Sequence, residues 1–316
     1  MRILVTGADG FIGRALVARL LSAEALPGLG DGSREIILLD RGFASRSEGS
    51  RVRLVSGDIA DPAILREALG SGLDCVFHLA SVPGGAAESD FGLGMQANLH
   101  AAVSLLEMLR LQKNPAKLVF ASTIGVYGVP LPEVIDENTV PAPTLSYGAQ
   151  KWVGEILLSD YSRRGFIDGR ALRLPGIVAR PSAAGMLSAF LSEVIRALSG
   201  GNRFTCPVSA EGKSWWMSRS CVVENLLHAA ALGEEHVRRQ RVWLLPVLHA
   251  SIGDVVAAIA RLHGPDVLAR VSYQPNPVLQ AQFASYPPLL CPRSAAAGFK
   301  HDGSLEELVK RALEGP

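Results

Sequence analysis

Three glycines near the start of the chain constrain its fold more than any other feature. Residues 2–6, Arg-Ile-Leu-Val-Thr, form a short apolar run that reads as a buried parallel strand and stops at Gly7. Gly7, Gly10 and Gly13 then lead into Phe11, Ile12, Ala15, Leu16 and Leu20, which are spaced as one face of a helix. Between a strand and a helix, glycine permits a tight turn, close approach of the backbone to a ligand, and close packing of helix on strand. The helix start offers unpaired N–H groups and the positive end of the helix dipole, a ready cradle for phosphate. Local geometry has to do this work, because 31 basic residues face 30 acidic ones and the net charge is +1. So balanced a chain has no basic field for a polyanion, which argues against nucleic acid as a partner.

The rest of the first half repeats the strand–helix rhythm. Strands are expected at 35–40, 51–55, 75–79, 117–121 and 170–174, and helices from Pro62, over 94–111 and over 147–163. Asp61-Pro62 opens its helix with an N-cap and a proline at the first helical position. The pattern predicts an α/β fold, a Rossmann-type doubly wound parallel sheet, with a smaller C-terminal substrate domain. The expected division is 1–175 for the nucleotide-binding domain and 176–316 for the smaller, interleaved one, with a late strand near 241–245 returning to the first sheet. In the second half, helical pieces near 186–198 and 221–232 alternate with irregular stretches such as 204–216, and 273–292 resists assignment. Ser304 and Glu307 form an expected capping box for the last helix.

Asp40 ends the second strand, where a carboxylate can bond the adenosine ribose hydroxyls and repel a 2′-phosphate, favouring NAD over NADP. It stands 27 residues past Gly13, more than the usual separation of about 20. The insertion at 27–33 accounts for the excess, and Arg41 is the one residue there that suits a 2′-phosphate. Tyr147 and Lys151 are four apart near a helix start, so they share a face. A tyrosine with a pKa of about 10 is a poor base, but an adjacent ammonium favours the phenolate and lets it take a proton from an alcohol.

Set side by side, several segments carry a resemblance. They are Thr6-Gly7-Ala8-Asp9-Gly10-Phe11-Ile12-Gly13, Gly57-Asp58-Ile59, His78-Leu79-Ala80, Ser122-Thr123 ahead of Val126-Tyr127-Gly128, and Tyr147-x-x-x-Lys151. The chain resembles the extended short-chain dehydrogenase/reductase family, which includes nucleotide-sugar epimerases and dehydratases. The resemblance implies a catalytic set of Thr123, Tyr147 and Lys151. It also implies an NAD site in which Phe11 and Ile12 accompany the glycines, Asp58 and Ile59 border the adenine, and Leu79 and Ala80 pass beside the cofactor. Asn98 would contact the cofactor too, Lys151 would hold the nicotinamide ribose, and Pro175 and Ile177 would line the nicotinamide.

Further matches narrow the resemblance: Ser81 to Glu88, Leu172 to Pro175, Ala179-Arg180-Pro181, and Trp216 to Arg219. They are similar to a branch of the family that oxidises a four-carbon sugar acid, D-erythronate, at C2 with NAD. A small acid calls for a cation with fork geometry, and Arg180 and Arg219 are the candidates, each equally open to a structural role. Ser81, Ser122 and Thr123 supply hydroxyls for the substrate. Trp215 and Trp216 either wall the pocket or belong to the core, His78 reads as structural, and Glu88 as a loop charge. Two other activities compete: a nucleotide-sugar epimerase or dehydratase using tightly bound NAD, and a non-catalytic redox sensor. Cys75, Cys206, Cys221 and Cys291 show no metal-ligand spacing, and free thiols with no apolar span of about 20 residues fit a cytoplasmic chain. The resemblance implies a homodimer formed through the helices at 94–111 and 147–163, and both carry more apolar residues than one buried face needs, which agrees with it.

Overall fold

The computed structural model describes residues 1–22, 34–44, 51–180 and 188–314. The insertion at 27–33, Pro181 and the start of the helix expected near 186 lie outside them. Seven strands form one sheet: β1 (Arg2–Thr6), β2 (Glu35–Asp40), β3 (Val52–Ser56), β4 (Cys75–His78), β5 (Lys117–Thr123), β6 (Asp168–Leu174) and a returning strand, Val242–Leu244. The order is Val242–Leu244, β6, β5, β4, β1, β2, β3, with every pairing parallel. The sheet is therefore doubly wound, and its order reverses between β1 and β4. Ile3 to Val5 and Ile36 to Leu39 are almost wholly buried, as strands covered by helices on both faces must be.

Helix α1 (Phe11–Ser22) follows the glycine turn, and α2 (Pro62–Leu69) starts as its sequence dictates, with Asp61 accepting from the Ala63 N–H. The helix expected over 94–111 is more complex. After α3 (Gly84–Ser89) comes one helical turn at Phe91–Gly94, then a π-helical stretch at Met95–His100, then α4 (Ala101–Arg110). Helix α5 (Ser146–Arg163) carries Tyr147 and Lys151.

The chain divides into two compact units. The first contains Met1–Gly128, Pro141–Leu174 and Val223–Leu244; the second contains Val129–Val140, Pro175–Val222 and Leu245–Pro316. Two segments depart from a split at 175. Val129–Val140 joins the second unit, and all of Val223–Leu244 joins the first.

Within the second unit the stretch at 204–216, expected to be irregular, holds the strands Phe204–Cys206 and Lys213–Met217. Lys213–Met217 pairs antiparallel with Leu248–Ser251 and parallel with Gly176–Ile177. Trp215 and Trp216 are buried there. The Trp216 indole N–H donates to the Ala250 carbonyl, and Trp215 lies against Tyr286 at 4.6 Å. Only half of the expected terminal capping box forms. Ser304 accepts from the Glu307 N–H, while the Glu307 carboxylate turns forward along Leu305–Leu313 to pair with Arg311.

Candidate active site

The glycine turn is built so that no side chain could replace it. Gly7 has φ +70°, and a Cβ there would lie 2.7 Å from the Ala80 backbone nitrogen. The turn after β1 thus presses against the chain leaving β4, and these are the strands that flank the sheet's reversal point. In open α/β sheets ligands bind at that point, beyond the carboxyl ends of the strands. A Cβ on Gly13 would fall 2.0 Å from the Gly7 carbonyl oxygen, so α1 can seat on the turn only through glycine. Gly10 is exposed, and a Cβ there would meet only Gly7. With no acidic residue in the first turn of α1, the cradle fits an anion such as a dinucleotide pyrophosphate.

Asp40 closes the far side of this turn. Its Oδ2 accepts from the Asp9 N–H at 2.9 Å and its Oδ1 from the Arg41 N–H at 2.7 Å, which leaves lone pairs on both oxygens. Asp58 is exposed and accepts from the Ala60 N–H, beside a buried Ile59. Thr6 ties β4 to β1: its carbonyl accepts from the Leu79 N–H and its hydroxyl oxygen from the Ala80 N–H.

Leu145, at the N-cap of α5, offers no side-chain cap. Glu88 on α3 does that work from a distance, accepting the Ser146 N–H immediately before Tyr147. It is therefore more than a loop charge. Lys151 is 1% exposed; its ammonium lies 4.8 Å from the centre of the Phe120 ring and 5.8 Å from that of Tyr147. Burial pushes its pKa down to about 7. His78 is pushed down to about 3, first by burial and then by the Lys151 charge. Its Nδ1 sits 2.8 Å from the Thr6 hydroxyl and its ring stacks on Phe120, so it is a neutral structural histidine. Thr123 ends β5 and accepts from the Gly125 N–H. A Cβ on Gly125 would lie 3.3 Å from the Thr123 hydroxyl oxygen and 3.9 Å from Tyr147 Cδ1. The two side chains therefore converge on Gly125.

Two expected contact residues have their polar groups engaged within the protein. Ser122 is buried and its hydroxyl donates to Glu155. Glu155 is in turn held by Arg173, whose Nη1 donates to the Tyr127 hydroxyl at 2.8 Å. Asn98 is also buried, within the π-helical stretch. Its Oδ1 accepts from the Val82 N–H, and its Nδ2 donates to the Val82 carbonyl and to Gln150 Oε1. Its amide fastens the segment after β4 to α5.

Ser81, by contrast, is exposed. Pro175, Ile177, Arg180 and Arg219 fall in the second unit. Arg180 follows Ala179, whose φ of +57° is unusual for a residue with a side chain. Its N–H donates to Ser192 and its carbonyl accepts from Arg196, so the backbone at Arg180 is held from both sides. Arg219 gives part of its guanidinium to the Glu314 carbonyl. Among the described residues no cluster of three or more His, Cys, Asp or Glu could hold a metal ion. None of the described helices is long and apolar enough to cross a membrane.

Residues 3–218 match the NAD dependent epimerase/dehydratase family. The chain belongs to this family. NAD is accordingly its cofactor, and the glycine cradle and Asp40 fit that assignment. D-erythronate dehydrogenase of Cupriavidus necator is 38% identical, over 99% of this chain and 98% of its own. D-erythronate dehydrogenase of Haemophilus influenzae is 30% identical, over 99% of each. A solved structure described as the nucleoside-diphosphate-sugar epimerase from Agrobacterium tumefaciens has a TM-score of 0.89 at 32% identity, over 98% of this chain and 92% of that one.

Proposed function

We propose that this member of the NAD dependent epimerase/dehydratase family oxidises a small sugar acid at a secondary alcohol, converting D-erythronate at C2 to 2-dehydro-D-erythronate. The observation that carries the reading is the 38% identity, running the whole length of both chains, to a D-erythronate dehydrogenase.

In this reading Gly7, Gly10, Phe11, Ile12 and Gly13 hold the pyrophosphate, and Asp40 bonds the adenosine ribose. Asp58 and Ile59 border the adenine, and Leu79 and Ala80 run beside the cofactor. Pro175 and Ile177 line the nicotinamide, and Lys151 bonds its ribose. When bound, NAD supplies the acceptor for the hydride that leaves the substrate carbon.

The chain's own residues handle the proton. Thr123 orients the substrate hydroxyl, and Tyr147 removes its proton as the phenolate. The Lys151 charge favours that phenolate by raising the cost of protonating it. A buried ammonium acts strongly because little water screens it. Arg180 grips the carboxylate, with Ser81 on a substrate hydroxyl and Arg219 in a lesser part. The main-chain hold on Arg180 supports this ranking, as does the bond that already engages Arg219. The second unit supplies the residues that grip the acid.

The free thiols suit work in the cytoplasm. Exposed apolar side chains at Phe91, Leu93, Val153 and Ile156 support a homodimer, which light scattering at micromolar concentration tests. The activity is tested by mixing purified protein with NAD and a panel of C4 to C6 sugar acids. NADH formation with D-erythronate is expected, and its absence with every acid overturns the reading. The 32% identity to a structure described as an epimerase favours one rival, a nucleotide-sugar epimerase. That rival predicts an altered sugar and no net NADH.

A further inference from the structure

Tyr147, Lys151 and Glu155 follow one another at intervals of four along α5, which places them on one face. Lys151 and Glu155 are both buried, at 1% and 2% exposure. A lysine and a glutamate four apart on a helix ordinarily pair. Here they do not. Glu155 is taken from the side of the sheet by Arg173 on β6, with Nη2 2.7 Å from Oε2 and Nε 3.0 and 3.3 Å from the two oxygens. The Ser122 hydroxyl donates to Oε1 as well. With its carboxylate neighbour occupied, the Lys151 ammonium lies instead over the rings of Phe120 and Tyr147.

We propose that Arg173 is a positioning residue that sequesters Glu155, so that the charge of Lys151 acts on the phenol of Tyr147 and not on its own helix neighbour. Arg173 touches neither the tyrosine nor the lysine in this scheme; it acts through Glu155. An opposite charge within about 4–6 Å moves a pKa by about 1–3 units. A carboxylate paired with Lys151 would therefore cancel much of what the lysine does for the tyrosine. The bidentate geometry suits the task, because a guanidinium fork fixes a carboxylate in place where a flexible ammonium would not.

The other titratable groups on elements packed against α5 have partners of their own or face water. Glu88 on α3 caps Ser146, and Glu107 on α4 takes Arg110 and the Tyr161 hydroxyl. Asp168 on β6 pairs with Arg170 and Arg241, and Lys117 on β5 donates to the Ala230 carbonyl. Tyr127 accepts from Arg173, His78 on β4 bonds Thr6, and His100 in the π-helical stretch is exposed. Of these carboxylates, Glu155 is the one four residues from Lys151 on the same helix face.

The sign of each perturbation follows. Arg173→Met frees the Glu155 carboxylate to pair with Lys151, and phenolate formation at Tyr147 moves to higher pH. Glu155→Gln leaves Arg173 without its carboxylate, adds uncompensated positive charge, and moves phenolate formation to lower pH. The double variant removes both charges and returns it towards the parent position. A purely structural role gives no such opposition of sign.

The inference rests on Tyr147 being the base, so its test includes a reading that needs neither substrate nor NAD. The Tyr147 phenolate is titrated in the ligand-free protein by ultraviolet difference against Tyr147→Phe, and the pH profile of kcat/KM is measured with D-erythronate and NAD. Arg173→Met is expected to raise the tyrosine titration and the acidic limb together by about one unit, about a tenfold loss at neutral pH. Glu155→Gln is expected to lower both, and the double variant to cancel the two shifts. Shifts of the same sign in the two single variants, or none in either, overturn the proposal. Removing one partner of a buried pair is strongly destabilising, so Arg173→Met is first checked by thermal melting. Should it fail to fold, Glu155→Gln and the double variant decide: a downward shift reversed in the double supports the proposal, and no downward shift overturns it. Retained turnover in Tyr147→Phe sinks the functional reading instead, which separates the two failures.

Discussion

The candidate site groups of the two units are held in different ways. In the first, the groups around Tyr147 are buried side chains bonded to other buried side chains: Ser122 to Glu155, Glu155 to Arg173, Asn98 to Gln150. In the second, Arg180 is held by bonds to its backbone, and Arg219 ends on a main-chain carbonyl near the end of the described chain. The first arrangement fixes atoms to within fractions of an ångström, as proton transfer needs. The second fixes where a side chain starts and leaves its tip adjustable, which suits gripping one acid or another. Under the proposed function, chemistry falls to the first unit and the grip on the acid to the second.

Five substitutions press on that contrast. Tyr147→Phe should leave NAD binding intact and cut turnover by about 10²–10⁴-fold; a stopped-flow or steady-state NADH assay with an NADH fluorescence titration reads both. Turnover near the parent rate would remove the first unit from the chemistry. Gly13→Ala comes next. Its Cβ would meet the Gly7 carbonyl at 2.0 Å, so the turn must distort at a cost of about 1–3 kcal/mol. Lower Tm and weaker NADH binding are expected together.

Arg180→Gln should raise KM for the sugar acid about 10–100-fold, the weight of a charge-assisted hydrogen bond, with KM for NAD unchanged. Arg219→Gln should do much less, and the reverse order would exchange their roles. The smallest effect concerns His78. Unfolded, it takes a proton near 6.5, and folded near 3, so the unfolded state binds more protons between those values. Stability contributed by this site is full above pH 6.5 and falls as pH is lowered towards 3. Denaturant titrations across that window should show a shallower decline in His78→Asn.

The parts of the site legible in the sequence are those whose partners lie close along the chain. The glycine turn, Asp40 at a strand end and the four-residue step from Tyr147 to Lys151 each depend on one element or two adjacent ones. Ser122, Asn98 and Glu155 depend on three or four elements brought together by the sheet, and no local pattern reports that. One signal was nevertheless available. Side chains alternate across a strand, so Ser122 and Thr123, adjacent at the end of β5, cannot both face the same cleft. Glu155, a further four residues past Lys151, was visible as well, but not the cation that would claim it from β6. In the second unit, the strands at 204–206 and 213–217 leave little mark on the sequence because they are only three and five residues long.

The π-helical stretch at Met95–His100 has a consequence for anyone who would stabilise this chain. Such a turn holds an extra residue relative to the α-helix on either side. Deleting one residue there would let 91–110 run as an unbroken helix, and would rotate one flank against the other by about 100°. Asn98 would swing away from Val82 and Gln150, and the segment leading to Ser81 would lose its fastening beside the tyrosine. Smoothing the helix would yield a more regular protein and a poorer catalyst, so the irregularity is a part of the chain to leave alone when its stability is redesigned.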